Sequence, residues 1–376
     1  MPKSKQVSFR RSPFLVAYWE AGDLVFENYA LGKRAAAAPV ATELLGFLSR
    51  WRSLAAICAH FPQYSPSSLR AAIRGLVRHS LLQRSDRKEQ PAERAMTAWS
   101  HWNPAAGFFH FTGRDLPFEA DLVRIGRYME GLTHEKSMPV PVKRYPRAAQ
   151  TPLLPARESG EFPRVLTARR TWRRFAPGRL SFADLSTLLG LTFGVREWVK
   201  VPPLGKFAVK TSPSGGALHP IEGYVVARDV EGVSPGIYHY DASGHRLELL
   251  RRGMTRDRMS DYVMGQRWFS DACAFVMMTA VFTRTQWKYR FPRAYRVVLA
   301  ECGHLCQTFC LTATWLGLAP FCTMALADSK IDRDLGIDGV TEGALYVAGV
   351  GRVPKGMDWK TASLPMDPTG KKRARK

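Results

Sequence analysis

The chain of 376 residues contains no run of about twenty apolar residues, which excludes a membrane-spanning helix. Its basic start, MPKSKQVSFRRSP, leads into FLVAYW, an apolar piece too short for the core of a secretory signal, so a cytoplasmic location is the expectation. Cysteine is scarce: six residues in so long a chain supply no disulfide framework. The glycine-rich stretch SPSGGALHPIEGY lacks the Gly-Lys-Ser/Thr of a phosphate-binding lysine loop and the Gly-x-Gly-x-x-Gly of a dinucleotide site. Acidic residues are also few, 32 against 55 Lys and Arg, for a formal net charge of +23 and a pI near 10.1. Such a field favours polyanions, whether nucleic acid, acidic peptide or phosphorylated ligand. Part of it is the terminal GKKRARK, and charge by itself establishes no nucleic-acid binder.

What is present suffices for a large core: 45% of residues are hydrophobic and 11% aromatic, in a length that implies two or more domains. Residues 1–90 read as a small unit. FLVAYWEAGDLVFENYA carries two extended runs around the turn Ala21-Gly22-Asp23. APVATELLGFLSRW and SLAAICAHFP follow as short helices, and Ser65-Pro66 opens a third with a serine cap and proline at its first position. Leu69, Ile73, Leu76 and Val77 form its apolar stripe, and LLQRSD returns as a strand. This order resembles a winged helix. Arg70, Arg74 and Arg78 share an outer face of the third helix, which is either a solvated surface or a row of phosphate contacts.

Residues 91–159 read as a connecting segment: an aromatic-rich part, MTAWSHWNPAAGFFHFTGRD, expected to pack on the main domain, then a proline-rich arm. Residues 160–355 alternate helix and strand signals, and 356–376 form a basic tail. SFADLSTLLGLTFG is a helix capped by Ser181, and PGIYHYDASGHRLELLRRG is a hairpin. CAFVMMTAVF is a strand buried on both faces, and RAYRVVLAECGHLCQTFCLTATWLGL is a long central helix. Cys302, Cys306 and Cys310 recur every fourth residue on that helix. With no second ligand cluster in the sequence, they are expected to pack as small apolar groups and to hold no metal.

Two stretches carry chemistry. TARRTWRRF, residues 167–175, gathers four arginines, whose forked donors suit a phosphate as well as a plain charged surface. SPSGGALHPIEGY, residues 212–224, is a glycine turn that lets backbone approach a ligand, or simply a tight loop.

Together with GIYHYD and LYVAGVGR, and in this order, these stretches resemble the nitroreductase-like FMN enzymes. More closely they resemble the SagB-type dehydrogenases, which oxidise azolines in ribosomally made peptides. The resemblance covers roughly residues 160–354 and implies an α+β fold, a mixed sheet flanked by helices with the small winged-helix-like unit ahead of it. It also implies a homodimer with FMN at the interface. Arg169, Arg170, Thr171 and Arg173 match the motif that holds the FMN phosphate and ribityl chain. Pro213, Ser214, Gly215 and Gly216 match the loop beside the flavin ring, Gln307 the helix glutamine that reaches the flavin, and Arg352 a further phosphate contact. Thr308 stands where the family commonly has asparagine, and His219 where it often has tyrosine, so a capped turn is the expectation for His219. The implied partners are a precursor peptide, bound through residues 1–90, and a cyclodehydratase. Neither a membrane nor nucleic acid is among the expected partners.

The resemblance also gives a role to Lys288-Tyr289, just ahead of the central helix. Oxidising an azoline removes a hydride from one ring carbon and a proton from its neighbour. An ammonium within about 4–6 Å of a phenol favours the phenolate, so either residue can serve as base. Neighbours in a regular strand or helix diverge. The pair is therefore expected to converge on irregular backbone. Two other functions compete: a nicotinamide-dependent nitroreductase or flavin reductase for small molecules, and a DNA-binding redox regulator.

Overall fold

The computed structural model describes residues 6–38, 40–135, 141, 143, 147 and 151–356. Most of the expected basic tail and part of the proline-rich arm lie outside these. The chain divides into two compact units. The first is Met1–Arg114 with Val281–Val298 and Asp338–Glu342; the second is Asp115–Ala280 with Leu299–Ile337 and Gly343–Lys376.

The first unit begins with β1 (Ser8–Arg11), β2 (Leu15–Glu20), β3 (Asp23–Asn28), β4 (Lys33–Ala36), α1 (Val40–Phe47), β5 (Arg52–Ser53), α2 (Leu54–His60), α3 (Pro66–Arg78) and β6 (Leu82–Arg84). These make two antiparallel three-stranded sheets, in the orders β5-β1-β6 and β2-β3-β4. Ala21 and Gly22, both at positive φ, turn β2 into β3 and set Glu20 opposite Asp23. Ser65 caps α3 by accepting from the Ser68 amide. The helix buries Leu69, Ile73 and Leu76 against Leu44, Leu48, Ile57 and Leu81, while Arg70, Arg74 and Arg78 stay exposed. Two short helices complete this part, α4 (Pro91–Ala95) and α5 (Ala105–Thr112).

The second unit opens with α6 (Leu122–Glu135), α7 (Glu161–Ala168), α8 (Phe182–Phe193), the hairpin β7 (Glu197–Val201) and β8 (Gly205–Val209), then β9 (Ile221–Ala227), β10 (Gly236–Asp241), β11 (Arg246–Arg252), α9 (Arg256–Tyr262) and β12 (Ala274–Val281). The chain then forms α10 (Phe282–Lys288), α11 (Tyr295–Trp315), β13 (Leu318–Thr323), α12 (Asp328–Leu335) and β14 (Glu342–Arg352). Six strands build one sheet in the order β11-β10-β9-β12-β14-β13. Its strands alternate faces. Tyr224, Val226, Phe275, Met277, Phe321 and Val347 pack with Met259, Tyr262, Ile331 and Leu335 of α9 and α12. On the other face the Cys302 Sγ of α11 meets the Met278 sulfur at 4.0 Å, and Phe193 of α8 lies over Gly223. Helices thus cover both faces. This is why β12 has no polar alternation, and it is the α+β arrangement expected from the sequence.

Residues 91–114, helical between short turns, belong to the first unit and bond residues 281–298 there. Trp99 and Trp102 are fully buried. Trp99 Nε1 donates to the Val340 carbonyl at 2.7 Å, Trp102 Nε1 to the Tyr289 carbonyl at 3.0 Å, and Gln286 Nε2 to the Ala98 carbonyl at 2.7 Å. His110 Nδ1 is 2.7 Å from the Tyr295 hydroxyl, under the stacked ring of Trp99.

Candidate functional site

The arginine-rich segment leaves the C-terminal end of α7 in extended form and is stitched to two strands. The Trp172 amide donates to the Pro320 carbonyl of β13 at 2.9 Å, and the Ala176 amide to the Arg352 carbonyl of β14 at 2.9 Å. Two motifs far apart in sequence, residues 169–173 and Arg352, are thereby brought to one end of the sheet. The Arg352 guanidinium lies over Gly178, so close that a Cβ there would stand 2.1 Å from Nη1. The Arg170 guanidinium donates to the Thr167 and Arg169 carbonyls at 2.6 and 2.7 Å. Arg173 is half-buried, and burial lowers its pKa from the usual guanidinium value.

The glycine loop is held by α11. The Gly215 amide donates to Glu301 Oε1 at 2.7 Å, and the Ser212 hydroxyl pairs with Thr308 Oγ1 at 2.8 Å. Glu301 and Thr308 lie two turns apart on one face of the helix. Glu301 is only 4% exposed, and burial raises its carboxyl above the usual range despite the opposing Gly215 N–H. Gly216 takes φ +69°, a backbone state that favours glycine. The Ser214 hydroxyl accepts from the His219 amide at 2.9 Å, and the His219 ring bonds the Ala208 carbonyl at 2.9 Å, the capped turn expected of it. Gln307 is exposed on α11; the bonds from this helix to the loop come instead from Glu301 and Thr308.

Lys288 is the last residue of α10 and Tyr289 its C-cap, where backbone at φ −107°, ψ 86° leaves the helix. The pair thus converges at a helix end: Lys288 Nζ lies 5.4 Å from the centroid of the Tyr289 ring. The Tyr289 amide donates to the Thr285 carbonyl at 2.9 Å while its own carbonyl accepts from Trp102, so the backbone is fixed on both sides. The pair belongs to the first unit, the arginine segment and glycine loop to the second.

Sequence reasoning missed Glu301 and Cys322. A single carboxylate inside the apolar run of α11 was the available signal for Glu301, since a buried acid needs a donor. Cys322, on β13, brings its sulfur within 4.8 Å of those of Cys306 and Cys310. Hydrogen bonds from Cys306 and then Cys310 draw its thiol well below the usual range.

The donor set suits an anionic phosphate: the Trp172 and Ala176 amides tie the segment that carries Arg169, Arg170 and Arg173 to two neighbouring strands, the second of which ends in Arg352. A sheet covered by helices on both faces, with arginines gathered at one end, is the frame of a domain that takes an anionic ligand. The model of the nitroreductase family matches residues 166–352. The chain is 33% identical over 174 residues to the trifolitoxin-processing protein TfxB of Rhizobium leguminosarum bv. trifolii, covering 45% of this chain and 46% of the relative. It is 31% identical over 199 residues to MJ1384 of Methanocaldococcus jannaschii, which bears the nitroreductase name, covering 53% of this chain and 94% of the relative. The microcin B17-processing protein McbC of Escherichia coli is 29% identical over 146 residues, 38% of this chain and 53% of the relative. The chain therefore spans about half the length of TfxB and of McbC. It belongs to the nitroreductase family, whose members typically bind flavin. No helix among the described residues is long and apolar enough to cross a membrane.

Proposed function

We propose that this protein is an FMN-dependent, SagB-type dehydrogenase that converts azoline rings to azoles in a ribosomally made peptide. The observation that carries the reading beyond a generic nitroreductase is the Lys288–Tyr289 pair, convergent at a helix end and braced by Trp102. Arg169, Arg170, Thr171, Arg173 and Arg352 would hold the FMN phosphate and ribityl chain, and residues 213–216, with Gln307, would border the ring. Flavin, when bound, supplies the acceptor for the hydride. The proton would go to Tyr289 Oη or Lys288 Nζ, side chains borne on backbone that Trp102 and the end of α10 hold in place. The names of TfxB, a trifolitoxin-processing protein, and McbC, a microcin B17-processing protein, support a role in processing of that kind.

The winged-helix-like unit then receives the leader of the precursor. Between α1 and α3 it carries an apolar groove of about 430 Å³ lined by Ala36, Val40, Leu44, Tyr64, Leu69 and Leu76. The adjacent β4 is the outer strand of its sheet, open to an added peptide strand. A homodimer and a cyclodehydratase partner complete the proposal.

Purified protein should be yellow and release FMN on denaturation. Lys288→Ala and Tyr289→Phe should keep the flavin yet lose turnover of an azoline peptide; full turnover in both would refute the role of the pair. Rapid bleaching by NADH or NADPH without peptide, together with no azoline turnover by the unmodified protein, would instead establish the small-molecule reductase.

A further inference from the structure

Cys306 and Cys310 lie one turn apart on α11, and the antiparallel pairing of β13 with β14 delivers Cys322 to the same spot, opposite Ala348. All three sulfurs lie within 4.8 Å of one another. Cys306 and Cys310 are buried and Cys322 is partly so. The Tyr346 hydroxyl points to Cys322 Sγ at 3.5 Å. Cys302, one turn earlier, is left out, its sulfur against Met278. A stack meant only for packing would need no thiol from a second element.

We infer that Cys306, Cys310 and Cys322, with the Tyr346 oxygen or a water as fourth donor, bind one zinc(II) ion. In a tetrahedral centre with Zn–S bonds of about 2.3 Å, sulfurs stand roughly 3.8 Å apart. The cluster therefore needs a contraction of about 1 Å at most, within reach of small side-chain rotations. Cys306 and Cys310 give up their thiol protons to solvent and Cys322 binds as the thiolate, forming three Zn–S bonds with no change of oxidation state. Charge selects the ion. Three thiolates with zinc(II) carry −1, which the neighbouring Arg169, electrostatically coupled to Cys310 and Cys322, offsets. The same thiolates with copper(I) would leave −2 in a largely buried site. The ion would pin β13 to α11 and so fix the strand that carries the arginine segment through the Pro320 carbonyl.

The test uses the full-length protein purified under a phosphine reductant, equilibrated with zinc and desalted. One zinc per chain is expected, with three sulfur neighbours at about 2.3 Å in zinc-edge X-ray absorption of the unmodified protein. Cys322→Ser should abolish the stoichiometric ion, whereas Cys302→Ala should retain it. Absence of zinc in the unmodified protein, a spectrum with nitrogen and oxygen neighbours only, or equal zinc in Cys322→Ser would each overturn the inference. So would a disulfide among the three cysteines that persists under the reductant.

Discussion

His110 should make the first unit acid-labile, because its ring stays neutral in the fold while the unfolded chain takes up a proton. Its ring is buried beneath Trp99, its Nδ1 faces the Tyr295 hydroxyl, and its Nε2 has no hydrogen-bond partner among the described residues. Burial, with a smaller push from Arg114, lowers its pKa from 6.5 to about 3. In the folded state the ring therefore stays neutral where the unfolded chain takes up a proton. The stability this contributes is complete above pH 6.5 and is lost as pH falls from 6.5 toward 3. At about 1.36 kcal/mol per pH unit, the loss is about 3 kcal/mol by pH 4.5 and about 4 kcal/mol by pH 3. Against a typical domain stability of roughly 5–15 kcal/mol, that is a large share. The comparison is with His110→Gln, which can still bond Tyr295 but does not titrate. Self-repulsion from the net charge of +23 is common to both proteins and cancels. Urea unfolding at pH 8 and pH 4.5, followed through tryptophan fluorescence, measures both stabilities. The wild-type value minus the variant value should fall by about 3 kcal/mol between the two pH values. A difference that stays flat within about 1 kcal/mol would refute the assignment of a neutral buried imidazole.

Glu301→Leu leaves the Gly215 amide without its acceptor and should cost about 1–3 kcal/mol in urea unfolding, with weaker FMN retention on dialysis. The Glu301 carboxyl is raised in the fold, so its advantage over Glu301→Gln is present at low pH and shrinks as pH climbs through that raised pKa; a difference growing with pH would contradict this. Trp102→Phe removes the donor to the Tyr289 carbonyl and should lower azoline turnover while the flavin absorbance per chain is unchanged. Gly178→Ala places a Cβ on Arg352 and forces alanine to φ +118°, so FMN affinity should fall and stability drop by about 1–3 kcal/mol.

The parts of this architecture that were legible in the sequence are those where one local rule decided the outcome. Ser65 and Ser181 announce α3 and α8 because a serine side chain satisfies an amide that any helix start leaves bare. Continuous apolarity announces β12 because both its faces are covered. α10 was invisible because FTRTQWK, aromatic and β-branched, continues the strand pattern before it; the helix is held from outside, by the Ala98 carbonyl on Gln286 and by Trp102 on the Tyr289 carbonyl. The same reason explains why the spacing of Cys302, Cys306 and Cys310 pointed to packing. Helical periodicity groups those three, but strand register regroups them, exchanging Cys302 for Cys322. Chemistry that depends on two elements meeting is absent from either element's own pattern. The Ala176–Arg352 bridge is the counterpart case, in which the motifs at both ends could be read but only the sheet order joins them. A site assembled this way is set by the pairing of β13 and β14 as much as by its arginines, so a substitution that slips that register should disperse the phosphate donors and the thiol cluster together.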